Sequence, residues 1–207
     1  MKNFKWGTES FNDKPIYVVL FVSRNKDNID IEDFVERRKS FITHKSVPDL
    51  NDEFMDFVNH GKPGEMSRMY YSVNARDGKK IYKELLHFLI DDPDFNLCSI
   101  NSKLAGIAAT KECAAEHQWM FDFDISNIEK VREFVNDIHE IDSGVIAEIN
   151  HTPNGYAVIT DRGFDTRNLF EKWTKGVTLK RDDLLCVGWN FSNAEEYNED
   201  KFNLLDD

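Results

Sequence analysis

The stretch Gln118-Trp119-Met120-Phe121-Asp122-Phe123-Asp124-Ile125-Ser126 constrains the chain most. It alternates as a short strand does, with Trp119, Phe121 and Phe123 on one face and Met120, Asp122 and Asp124 on the other. Ser126-x-x-Glu129 follows at once as a capping box. Ile128, Val131, Phe134, Val135 and Ile138 then recur at helical spacing. Two carboxylates therefore stand at a strand end just before a helix, where α/β folds place ligands. Residues two apart on one strand face lie roughly 6.5–7 Å apart. At an effective dielectric of about 20, two unpaired carboxylates at that distance repel by about 2–3 kcal/mol. Two readings are open. A divalent cation relieves the repulsion, because hard cations take carboxylate oxygens. Alternatively, this is an edge strand with both Asp residues solvated.

The rest of the chain is read around that stretch. Ile16 to Val22 is a continuous β-branched and aromatic run, as a buried central strand requires. The spacing of Phe34, Arg38, Phe41 and Ile42 predicts a helix over 31–42, and Phe54, Phe57 and Val58 predict another over 51–60. Gly61-Lys62-Pro63-Gly64 is a loop. Residues 68–74 alternate as a strand, with Met69, Tyr71 and Val73 on one side. Asp77 can cap a helix over 78–90, stopped by Asp91-Asp92-Pro93. Residues 101–117 are Ala-rich and helical by composition. Two strands, 145–150 and 156–160, flank the turn Thr152-Pro153-Asn154-Gly155, where Pro presets φ and Asn and Gly tolerate positive φ. A short helix over 166–173 and a buried strand over 184–187 close the pattern. The expectation is an α+β fold, a mixed β-sheet with flanking helices.

With 207 residues, 16 Phe and 4 Trp, the chain has ample material for a core. No apolar run is long enough to span a bilayer, and the first six residues lead into no signal-peptide core, so a cytoplasmic location is expected. Cys98, Cys113 and Cys186 match neither a zinc spacing nor a disulfide framework and read as reduced packing residues. The net charge of -12 disfavours sequence-independent coating of nucleic acid, though not a nucleotide held locally through a metal. The charge is uneven. Residues 161–181 carry six cations against three carboxylates, and residues 192–207 carry one Lys against six. The second segment reads as an acidic tail behind a single domain of residues 1–191. It is either solvated or a partner-binding peptide anchored by Phe202, Leu204 and Leu205. Walker-type Gly-Lys-Ser/Thr, Gly-x-Ser-x-Gly, His-Glu-x-x-His and Cys-x-x-Cys are all absent.

One order of motifs remains. Arg68-x-Tyr70-Tyr71-x-x-Asn74-x-Arg76 precedes the strand ending in Asp122-x-Asp124. Thr152-Pro153-Asn154-Gly155-Tyr156 follows, and then an acidic residue before an apolar strand. This order resembles the archaeo-eukaryotic primase superfamily, most closely its small phage-encoded primase-polymerase-like proteins. The resemblance runs from Arg68 to Val187, and the turn behind the two acids is its more specific part. It implies a primase-like fold with an RRM-like catalytic core. Asp122 and Asp124 match the family's first motif, two acids that ligate Mg or Mn. Asp183, or its neighbour Asp182, matches the third motif and completes the metal and catalytic set. The second motif is a small residue, any residue, then a His that helps hold the incoming nucleotide's phosphates. Here Gly155-Tyr156-Ala157 departs from it, with His151 the nearest substitute. Candidates for phosphate or nucleotide contacts are Arg68, Arg76, Asn154, Gly155, Tyr156, Arg162, Arg167, Lys180 and Arg181.

The functional expectation is a metal-dependent nucleotidyltransferase acting on nucleotides or nucleic acid, degenerate to the extent that the His matters. A nuclease or phosphodiesterase using the same acids, with water as nucleophile, is the first alternative. A non-catalytic phage protein that kept the fold is the second. No membrane is expected as a partner. A replication or host protein could bind through the acidic tail, which would place the chain in the host cytoplasm if it is phage-encoded.

Overall fold

The computed structural model describes residues 14–192. In chain order the elements are β1 (Tyr17–Ser23), β2 (Arg37–Thr43), α1 (Asn51–Asn59), β3 (Met66–Ser72), α2 (Gly78–Asp91), α3 (Ile100–Ala108), β4 (Trp119–Phe123), α4 (Ile128–Ile141), β5 (Ala147–Thr152), β6 (Gly155–Thr160), α5 (Arg167–Lys172), β7 (Val177–Lys180) and β8 (Leu184–Phe191). The strands form two four-stranded sheets, ordered β2-β1-β3-β8 and β5-β6-β4-β7. Every strand pairing within them is antiparallel. This corrects the single mixed sheet: alternation reveals strands, but not their partners. The second sheet comes from one continuous strand-helix-strand-strand-helix-strand unit, with its first and third strands at the centre. That unit lies between β3 and β8 in sequence, and β8 returns to close the first sheet.

Burial follows the faces. β1 is covered on both sides, which explains its unbroken apolar run. Val19 and Phe21 pack with Leu50, Phe54, Phe57 and Val58 around α1, while Val18 packs with Ile81, Ala105 and Ala108 of α2 and α3. On the second sheet Phe121 and Phe123 meet Phe134, Ile138, Leu169 and Trp173 of the α4/α5 side. The opposite face carries Met120, Ala157 and Ile159, which pack with Val73 and Leu185 and so join the two sheets. The aromatic and acidic faces of β4 separate as alternation requires.

Other expectations change. Residues 37–43 form β2 rather than the end of a helix. They pair with β1 over seven residue pairs, from Tyr17↔Thr43 to Ser23↔Arg37, and tertiary pairing overrides the weak helical spacing. Arg38 and Lys39 are exposed, which suits an edge strand. The helix over 101–117 ends at Ala108, because Ala114 leaves it to bridge Arg76 and the Ala115 N–H donates to the Ala75 carbonyl (2.8 Å). Asp77 caps α2 as expected, accepting from the amides of Lys79 and Lys80 (2.8 and 3.2 Å). The cap of α4 is Asn127 rather than Ser126, with its side chain accepting from the Glu129 amide at 3.0 Å.

Strand β7 has no counterpart in the sequence reading, and β8 runs four residues past it. Ser192, placed there in the tail, is buried against the first sheet: its amide donates to the Glu65 carbonyl at 3.0 Å. The rest of the acidic tail and the first six residues lie outside the described residues. No helix among those described is long and apolar enough to cross a membrane.

Candidate active site between the two sheets

The second sheet's apolar contact with the first leaves a cavity beside it, of about 190 Å³. One wall belongs to the second sheet: Asp122, Asp124, the turn residues Thr152 to Asn154, and Lys180. The other belongs to the first sheet: Arg24, Lys26, Arg68, Tyr70 and Cys186. Met120, Ala157 and Leu185 form an apolar floor.

Two glycines fix the strand end that carries the acids. A Cβ on Gly155 would stand 2.3 Å from the Phe123 carbonyl oxygen, so the hairpin can approach β4 only with glycine there. Gly155 thus serves close approach, not the positive φ expected of the turn. On the other side Gly176 has φ +79° and accepts from the Asp124 amide at 3.2 Å. Ala157 is paired with Asp122 across β4 and β6 and lines the same cavity, as alternation predicts. It leaves no imidazole where the primase resemblance expects one.

The acids differ in their surroundings. Asp124 is exposed at the cavity mouth. Asp122 receives the Lys180 ammonium at 3.0 Å, and the same ammonium reaches Asp183 at 3.1 Å. Burial works against the Lys180 charge, but hydrogen bonding to Asp122 and the charges of both carboxylates outweigh it and hold its pKa above the usual lysine value. Asp183 therefore reaches the site only through Lys180. Asp122 and Asp124 offer two hard oxygen donors on one wall. This fits Mg or Mn bound through one or two carboxylates with phosphate oxygens and water completing the shell. Among the described residues no group of three or more His, Cys, Asp or Glu side chains converges on one metal position.

The basic wall is built around Asp27, which accepts from Arg24 Nε at 2.7 Å and from Arg68 Nη2 at 2.6 Å. Arg68 is 5% exposed. Burial raises the Tyr70 hydroxyl and lifts the Cys186 thiol to about 11, so Cys186 stays a neutral thiol at this wall. A bulge sets its direction: Met69 pairs with Gly188 and Tyr70 with Cys186, which leaves Val187 unpaired.

Several expected site residues lie elsewhere. Asp182 binds Arg76 Nη1 at 2.7 Å and Asn74 Nδ2 at 3.1 Å, so Arg76 and Asp182 neutralise each other away from the cavity. Tyr156 alternates to the helix-covered face, against the ring of His151, and neither lines the cavity. Gly155 packs on backbone. Arg162 pairs with Asp142 and Asp161, Arg167 with Asp165, and Arg181 lies over the Trp119 ring. These are local surface contacts that spacing alone cannot separate from ligand contacts. Asp122, Asp124, Arg68, Asn154 and Lys180 do come together.

The sequence reading passed over Arg24, Lys26 and Asp27. Their signal was available: Arg24-Asn25-Lys26-Asp27 is a charged turn directly after a buried strand, the same placement that drew attention to Asp122 and Asp124. Comparison with protein-family models finds no match, and comparisons with curated proteins and with solved structures find none either.

Proposed function

We propose that the chain is a metal-dependent nucleotidyltransferase of primase-polymerase-like type, acting on nucleotides or nucleic acid. The observation that carries this reading is one cavity with two strand-end carboxylates on one wall and buried Arg68 on the other. The strand order of the second sheet, with the first and third strands of its unit at the centre, supports an RRM-like core. Asp122 and Asp124 would hold Mg or Mn, which when bound would neutralise phosphate charge and activate the attacking hydroxyl. Lys180 fixes the Asp122 carboxylate and balances Asp183. Arg68 faces the phosphates, Asn154 orients the nucleotide at the rim, and the apolar floor excludes water.

A second reading, a protein that binds nucleotide without chemistry, is favoured by Ala157 and by the Lys180 bridge, which already partners Asp122. One experiment tests the metal and then separates the two. Mn should raise the melting temperature of the wild type, and Asp122→Asn with Asp124→Asn should abolish the rise. An identical shift in both proteins would sink the metal site. Primer extension or dinucleotide synthesis in Mn by a protein that passes this test identifies the nucleotidyltransferase, Mn-dependent cutting of single-stranded DNA or RNA identifies a nuclease, and the absence of both leaves the binding protein.

A further inference from the structure

We propose that Arg24, Lys26 and Arg68 form a ready-made polyphosphate subsite, which takes the phosphate tail of a nucleoside triphosphate in place of the side chain that Ala157 lacks. The inference rests on the nucleotide reading above and deepens it. Three observations carry it.

The first is charge. Arg24 and Arg68 share a single carboxylate, Asp27, and Lys26 stands exposed at the rim. Three cations against one acid leave a surplus of positive charge on this wall. The second is placement. Arg68 lines the cavity at 5% exposure, and its Nη2 is held by Asp27 at 2.6 Å, so the guanidinium is fixed at the wall before any ligand arrives. A planar guanidinium matches phosphate oxygens in geometry and charge. The third is size. A volume of about 190 Å³ falls below the roughly 300–1,000 Å³ of pockets that enclose a whole drug-sized ligand. It suits the phosphate end of a nucleotide, with sugar and base toward the rim. The floor has no polar side chain to offer, and the opposite wall presents carboxylates with Lys180 already engaged. Apart from the neutral side chains of Thr152 and Asn154, the uncommitted positive charge that an anion meets on entering belongs to the first sheet. The polarity of the walls also sets direction: phosphates lie toward Arg68 and the acids face them.

The test is calorimetric titration of inorganic tripolyphosphate into the full chain in EDTA. Saturable one-to-one binding is expected, weakening steeply with salt. Lys26→Gln and Arg24→Gln should each weaken it about tenfold, and Arg68→Gln should abolish it. Lys26 is exposed, so its variant folds and keeps the test valid if Arg68→Gln does not. Equal binding by wild type and Lys26→Gln and Arg24→Gln would overturn the proposal, as would no binding at millimolar tripolyphosphate. A single-stranded oligonucleotide that binds where tripolyphosphate does not would also overturn it, by giving the wall to backbone phosphates. No metal and no turnover enter the titration. Its failure leaves the Mn-dependent shift of Asp122 and Asp124 standing, and a missing Mn shift leaves the titration standing.

Discussion

Two buried arginine–aspartate pairs, Arg68 with Asp27 and Arg76 with Asp182, share many features and serve different ends. Both arginines lie in or just after β3, and each keeps an Nε–H without an acceptor among the described residues. Arg76 is the more enclosed, with its side chain 1% exposed. Its partner Asp182 also takes the amide of Asn74, which in turn grips the backbone of Gln118 at the entrance to β4 (2.7 and 3.1 Å). One cation meets one anion, and the network ties three segments together. Asp27, by contrast, is divided between two guanidiniums beside an open cavity. Burial does not separate a structural ion pair from a binding one here. The local balance of charge and the presence of space next to it do.

The sharpest way to break that comparison is to remove the two acids in turn. Asp182→Ala strands a fully enclosed guanidinium and should destabilise the protein by about 3–5 kcal/mol in chemical denaturation. Asp27→Asn should cost less, about 1–3 kcal/mol, because the cavity lets solvent or an anion reach Arg24 and Arg68. Equal losses would mean that both pairs are structural.

A third pair, buried Glu65 with partly exposed Arg37, sharpens the comparison through pH. Burial alone would raise the Glu65 carboxyl, but hydrogen bonds from the Lys62 amide (2.8 Å) and the Arg37 guanidinium (2.8 Å) outweigh it and hold its pKa below the ordinary 4.5. A depressed folded value contributes stability above the unfolded value and loses it as pH falls through the folded one. Melting temperature should therefore fall on acidification below about pH 5, and Glu65→Gln should flatten that limb. An unchanged acid limb in the variant would show that other carboxylates set it. The smallest effect belongs to Lys180. Its ion pairs are about a third exposed, so Lys180→Gln should change stability by no more than about 1 kcal/mol.

What the sequence shows and hides follows from the range of each signal. The strand with Asp122 and Asp124, the helix after it, the hairpin and the Asp77 cap were legible because each is written in neighbouring residues. Strand β2 was not, because seven pairings with β1 decide it and none is local. Half of the candidate site was legible for the same reason. Asp122, Asp124 and Ala157 follow strands whose alternation sets their face, whereas Lys180 lies on β7 and was legible only as one of several cations. The charged turn with Arg24 and Lys26 was also written locally, after β1, but that it faces the two acids follows only from the first sheet folding against the second. Arg76 and Asp182 read as ligands because spacing cannot tell that they neutralise each other.

The position of β8 in the chain has a consequence for how the molecule is made. Glu65 and Ser192, hydrogen-bonded at the end of the first sheet, are 127 residues apart in sequence. During synthesis β3 waits with one edge unpaired while the whole second sheet is built, and that edge is a template for any other strand. Such a non-local closure is intrinsically slow. The cavity has no basic wall in register with its acids until β8 lies beside β3, so the binding site is among the last features of the chain to exist.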